Sequence, residues 1–189
     1  MFRQLIAAPF LHIFLVCLLA PSLSLGATKR PNFIIFLLDD LGRDQLGAYG
    51  NSYAKTPNIN GLAREGVTFT NAFLASSAGE FSQASLLTSR YPHNTAAPSL
   101  RDEESEQEYQ TLAGELGKAG YYTAHAGPWQ LSSSIKRHFS LVAPSGNDAG
   151  NKFWLDTLYQ RPKDKPFFFV FSIFDNFVKL ALARVFSFY

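Results

Sequence analysis

Six apolar residues, Phe33-Ile34-Ile35-Phe36-Leu37-Leu38, run without a polar interruption and stop at two adjacent carboxylates, Asp39 and Asp40, followed by Leu41-Gly42. A half-exposed strand would alternate polar and apolar residues, and an amphipathic helix would show polar positions every third or fourth place. This run does neither, and it reads as a parallel strand covered by helices on both faces. Ligands of open α/β sheets bind outside the carboxyl ends of the strands, so Asp39 and Asp40 stand where a site would be built. Paired acids there suit a hard cation. They equally suit a solvated turn or a helix cap.

The remainder of the chain alternates helix-like and strand-like stretches, which predicts an α/β fold with a parallel sheet. Thr56-Pro57 reads as an N-cap with proline at the first helical position, opening a helix over Pro57–Glu65 that Gly66 ends. Val67-Thr68-Phe69-Thr70 predicts a minor strand, Ala75–Gln83 a loop, and Ala84–Ser89 a helix. Arg101 to Glu108 holds five of the fifteen acids and predicts an exposed acidic loop. Thr111 is placed to cap a helix running to Lys118 that Gly120 closes, with a strand at Tyr121–His125 beyond it. No clear period marks Ser132–Asn151. Phe153–Tyr159 predicts a helix, Arg161–Pro166 a turn, and Phe167–Phe174 a second wholly apolar strand that ends near an acid, Asp175.

The first residues read as a secretory signal, Met1–Gly26, with a short basic start, a mostly apolar stretch from Leu5 to Leu19 and a small-x-small end at Ser24-Leu25-Gly26. A membrane anchor is the alternative, weakened by Pro9, His12 and Pro21, so no stable span is expected once the signal is removed. Its removal takes away Cys17, the only cysteine, and a secreted chain would fold with no disulfide. Loss of Arg3 lowers the formal charge from +2 to about +1, which is too little to suggest a nucleic-acid partner. The expected division is a signal at 1–26, one α/β unit at 27–176, and a tail at 177–189.

Four stretches together carry a family resemblance. They are Asp39-Asp40-Leu41-Gly42; Thr56-Pro57-Asn58-Ile59 with Leu62-Ala63-Arg64-Glu65-Gly66; Ala84-Ser85-Leu86-Leu87-Thr88-Ser89-Arg90-Tyr91-Pro92-His93; and Leu116-Gly117-Lys118-Ala119-Gly120-Tyr121-Tyr122-Thr123-Ala124. In this order and spacing the chain resembles the N-terminal part of a sulfatase. The resemblance implies a partial α/β/α sandwich of the alkaline-phosphatase-like kind with a mostly parallel sheet. It also implies bound calcium, hydrolysis of a sulfate ester or sulfamate, and a secreted or lysosomal location.

The residues that the resemblance assigns to chemistry differ from the family pattern. The formylglycine nucleophile arises from the first residue of a Cys/Ser-x-Pro-x-Arg motif, and the matching run is Gly79-Glu80-Phe81-Ser82-Gln83. Glycine has nothing to oxidise, the proline position is Phe81, and the arginine position is the uncharged Gln83. The Gly-Lys-Trp-His motif, whose lysine and histidine contact sulfate, matches Gly127-Pro128-Trp129-Gln130, and a later histidine falls on Phe177. Asp39 and Asp40 remain as candidate calcium ligands, supplying at most four oxygens where calcium takes six to eight.

Other side chains with reactive groups read as structural. His93 follows Arg90-Tyr91-Pro92 as in the family, His125 ends a strand and reads as core, and His138 beside Lys136 and Arg137 reads as exposed. Ser76, Ser77 and Ser82 are hydroxyls near the nucleophile loop but not at its first position. Two functions follow as expectations. One is a sulfatase-derived protein without catalysis that acts by binding a partner protein. The other is an active sulfuric ester hydrolase, of arylsulfatase or sulfamidase type, with an altered site.

Overall fold

A computed structural model of the chain describes residues 30–94, 108–143 and 150–173. Four strands pair in parallel within them: β1 (Phe33–Leu38), β2 (Tyr122–Ala126), β3 (Leu141–Ala143) and β4 (Phe167–Ile173). Their order is β1-β4-β2-β3, so the last of the described strands lies between two others. The helices are α1 (Pro57–Glu65), α2 (Gly79–Thr88), α3 (Leu112–Lys118), α4 (Ser133–Lys136) and α5 (Gly150–Gln160).

The apolar run of β4 is explained by its place. Phe167, Phe169 and Phe171 pack on the side of α5, where Trp154 stacks on Phe171 at 5.1 Å. Phe168 and Val170 pack on the other side with Ala84 and Leu87 of α2, Ala113 of α3 and Ile135 of α4. All five of these β4 side chains are buried, each contributing roughly 1.5–3 kcal/mol of hydrophobic stabilisation. This two-sided cover is what β1 also leads one to expect, yet β1 is only half-buried and Phe33 is exposed. The correction has a topological cause. Among the described strands β1 pairs on one side only, with β4, in the register Phe33↔Phe168 to Leu38↔Ile173.

Local signals decide the helix ends. The Thr111 Oγ1 accepts the Gly114 N–H at 3.0 Å, as a cap should, and Gly120 at φ 87° closes α3. There the Tyr121 N–H donates to the Leu116 carbonyl and the Gly120 N–H to the Gly117 carbonyl, the paired bonds of a glycine-terminated helix. Thr56 behaves differently from the expectation. Its hydroxyl accepts the Gly47 N–H and donates to Asn60 Oδ1 at 3.0 Å, so it ties α1 to the turn before it and does not cap an orphan N–H.

Three further expectations are corrected. Val67–Thr70 forms no strand, since the Phe69 and Thr70 carbonyls accept side-chain bonds from Tyr49 and Arg43. The Ala75–Gln83 loop is shorter than expected, because α2 already begins at Gly79. Ser132–Asn151, aperiodic in sequence, contains α4, β3 and the start of α5, the first two too short to show a period. The signal at 1–26, most of the acidic stretch, Asp175, Phe177 and the tail at 177–189 lie outside the described residues. Among the described residues no helix is long and apolar enough to cross a membrane.

Candidate functional site at the carboxyl edge of the sheet

Parallel pairing puts the carboxyl ends of the strands on one edge. β1 stops at Leu38, level with Ile173, and Ala126 of β2 is level with Phe171. Asp39 and the loop Gly127–Gln130 therefore share that edge with β4 between them, and two strand spacings set their backbones roughly 10 Å apart. Asp40 turns the chain off β1 in a left-handed conformation, φ 53°, which aspartate tolerates better than most residues. Its N–H donates to Asp39 Oδ1 at 3.1 Å, and both carboxylates are exposed.

The N-terminus of α2 meets Asp39. A Cβ on Gly79 would lie 3.8 and 4.0 Å from the two Asp39 carboxylate oxygens, ordinary contact distances that leave room for a side chain. Positions 39 and 79 are thus neighbours, although nothing in the spacing of the sequence brings them together. Gln83, one helical turn further along α2, lies on the same face and is half-buried. Ser76 Oγ accepts the Ala78 N–H at 3.2 Å and so fastens the turn into α2. Ser77 is exposed just before α2, and Ser82 is half-buried in its first turn.

The loop after β2 is held from below. Gly127 is buried at φ +127°, with the Ser172 carbonyl of β4 where a Cβ would go. Ser172 Oγ donates to the Pro128 carbonyl at 3.3 Å and lies 3.1 Å from His125 Nε2. With its proton given to Pro128, Ser172 accepts from Nε2–H, and in the neutral ring that burial favours Nδ1 is the bare acceptor. That Nδ1 is buried without a hydrogen-bond partner. Trp129 and Phe139 pack edge-on against the ring, and burial lowers the His125 pKa from 6.5 to about 4. His125 is therefore a core residue, as the sequence suggests. Pro128 is half-buried and Gln130 exposed on the loop that His125 and Ser172 position. The sequence gives only one signal of this arrangement, the Gly127-Pro128 pair.

His138 is not the exposed residue expected from its basic neighbours. It is half-buried, its Nδ1 is 2.9 Å from Thr111 Oγ1, and burial is the first cause lowering its pKa. His93 stacks on Tyr91 at 5.7 Å. Arg43, the nearest cation in sequence to the aspartates, donates to the Thr70 carbonyl at 2.8 Å and lies over the Tyr49 ring.

As a donor set for calcium, the carboxylates of Asp39 and Asp40 fall short. Position 79 adds no oxygen, and among the described residues no group of three or more His, Cys, Asp or Glu is placed to hold a metal. Six to eight oxygens are needed, so the residues present do not fit the ion. What the edge does offer is negative charge, a helix N-terminus and an open space at Gly79.

Helices on both faces of a parallel sheet, with acids at its carboxyl edge, make an α/β/α scaffold, and its likeness to solved sulfatases is what makes it alkaline-phosphatase-like. A solved structure of a complex with D-glucosamine-2-N,6-O-disulfate superimposes with a TM-score of 0.66 at 25% identity, over 76% of this chain and 34% of that one. The chain belongs to the sulfatase family, whose model matches residues 31–176. It is 39% identical over 113 residues to an N-acetylgalactosamine-6-O-sulfatase of Bacteroides thetaiotaomicron, covering 58% of this chain and 22% of that protein. Human arylsulfatase A is 37% identical over 120 residues, 60% of this chain and 24% of that one. The chain thus spans about a quarter of the length of these relatives.

Proposed function

We propose that this chain is a sulfatase-family scaffold that does not hydrolyse sulfate esters and acts through binding. One observation carries the reading: position 79 faces the Asp39 carboxylate and has no side chain. Hydrolysis of a sulfate ester needs a nucleophile, cations opposite the developing charge, and a proton for the leaving oxygen. Glycine at 79 removes the covalent path. Gln83, Pro128 and Gln130 carry no charge, and removing one stabilising donor typically costs ~10²–10³ in rate. Asp39 and Asp40 without a tightly held cation would repel a sulfate.

The full-length chain, purified with calcium present, is expected to turn over aryl sulfates, sugar sulfates and sulfamates no faster than buffer. It is assayed beside a chain carrying Gly79→Cys, Phe81→Pro, Gln83→Arg, Pro128→Lys and Gln130→His, made with the formylglycine-generating enzyme. Activity of the unaltered chain, abolished by Ser82→Ala or Ser77→Ala, would overturn the proposal and favour an active hydrolase with an altered site.

Calcium affinity is expected to be millimolar or weaker, since loose sites with few ligands lie in that range. Gly79→Asp places a third carboxylate against Asp39 at a position with room for it. Calorimetry should show at least about tenfold tighter binding in that variant. Micromolar affinity in the unaltered chain would contradict this donor set.

A further inference from the structure

The segment that leads into α3 meets the end of α4 through side chains, beside an open cavity. Arg137 Nη2 donates to Glu108 Oε1 at 2.6 Å, and the second oxygen of that carboxylate, Oε2, lies 3.9 Å from His138 Nε2. On the other side of the ring, Nδ1 is 2.9 Å from Thr111 Oγ1, which also accepts the Gly114 N–H at 3.0 Å. The ring is seated against Gly114, where a Cβ would come within 3.4 Å of its Cγ. A bare Nε2 would turn its lone pair toward the Glu108 carboxylate, so the neutral ring carries its proton on Nε2, and Nδ1 accepts from the Thr111 hydroxyl. The buried Thr111 oxygen is then satisfied as donor and as acceptor.

We propose that His138 and Glu108 form a proton-operated clasp, in which protonation of the ring draws the carboxylate onto Nε2 and binds the entry of α3 to the end of α4. The two partners differ in freedom. The His138 side chain is 20% exposed and wedged, whereas that of Glu108 is 72% exposed, so the carboxylate is the part that moves. A shift of roughly 1 Å brings it to the distance of a charge-assisted hydrogen bond. Burial lowers the His138 pKa, so the proton arrives only below 6.5. Among the charged groups, Glu108 before α3 and Glu115 on α3 favour the charged ring, while Arg137 at the end of α4 and Lys118 on α3 oppose it, and Lys118 is paired with Glu115 at 2.7 Å. Tyr109 also lines the cavity. A charged ring must donate from Nδ1 to Thr111 Oγ1, and the hydroxyl of a residue only 3% exposed then loses its acceptor. That cost keeps the clasp open at neutral pH. Closing it offsets part of the cost of charging a half-buried ring and does not reverse it.

The test is an NMR titration of the full-length chain from about pH 8 to about pH 5, reading the imidazole and the backbone amides. The His138 midpoint should be lower in Glu108→Gln, which removes the charge that favours the proton. Amide exchange at Tyr109–Thr111, corrected for the intrinsic effect of pH, should slow about two- to fivefold as the ring is protonated, the range for an exposed ion pair. The variant should show no such slowing. If the variant loses its fold, about 1 M salt added to the unaltered chain screens the same pair and should abolish the slowing. A midpoint that Glu108→Gln leaves in place or raises would overturn the proposal. So would exchange without a pH step in the unaltered chain, or a step that survives both the substitution and the salt.

Discussion

Gly127→Ala should cost the fold on the order of 3–5 kcal/mol, a large part of the 5–15 kcal/mol that holds a domain together. Two effects act at the same atom. The backbone at φ +127° lies where an L side chain is strained, and the added Cβ would sit 2.1 Å from the Ser172 carbonyl oxygen and 2.9 Å from its carbonyl carbon. Those are backbone atoms of β4, which is paired to β1 on one side and β2 on the other. Relief would require β4 to shift within the sheet or the loop to leave it, and the second route breaks the Ser172–Pro128 bond. Gly117→Ala is the matched control. Nothing lies within 4 Å of a Cβ there and the position is helical, so the substitution should raise stability by about 0.5–1 kcal/mol. Urea unfolding of the two variants should move the midpoint in opposite directions. An unchanged midpoint for Gly127→Ala would show that the close approach of the loop to β4 is wrong.

This contact also marks the limit of what sequence reading reaches. The strands β1 and β4, the helix at Pro57–Glu65 and the cap at Thr111 were legible because each is set by residues within a few places of one another. The edge position of β1 was not, because burial on one face or two depends on which strands come to lie beside it. Val67–Thr70 has strand-forming residues, but propensity yields when the carbonyls find partners such as Tyr49 and Arg43. The start of α2 was obscured by Gly79 and Ser82, which read as loop, although Glu80 supplies the acid favoured in a first turn.

The site shows the same division. Asp39 and Asp40 announce themselves by ending an apolar run. The meeting of Asp39 with Gly79 could be expected only from the family resemblance, since no periodicity links a strand end to a helix start so far along the chain. His125, Ser172 and Pro128 form a hydrogen-bonded chain across two strands, and no local pattern encodes it.

Acidification from about pH 6.5 to about pH 4 should lower stability by about 3 kcal/mol through His125 alone. The direction follows from burial. Protonating the imidazole would place a charge where the ring has no exposure and give Nδ1 a proton with no acceptor near it. The folded pKa is therefore lowered from 6.5 to about 4. Above 6.5 the ring is neutral in both states and the stability is fully present. As pH falls below 6.5 the unfolded chain takes up a proton that the folded chain refuses, and stability declines until about pH 4, where the folded ring is protonated as well. His138, also lowered by burial, adds to the loss in the same direction. His125→Gln separates the two, because glutamine retains an N–H for Ser172 and cannot titrate. Between pH 7 and pH 4 the difference in urea unfolding energy between the unaltered chain and this variant should shift by about 3 kcal/mol in the variant's favour. Parallel profiles would mean that His125 is already solvated or already charged in the folded chain, and the buried neutral imidazole beneath the Pro128 loop would have to be abandoned.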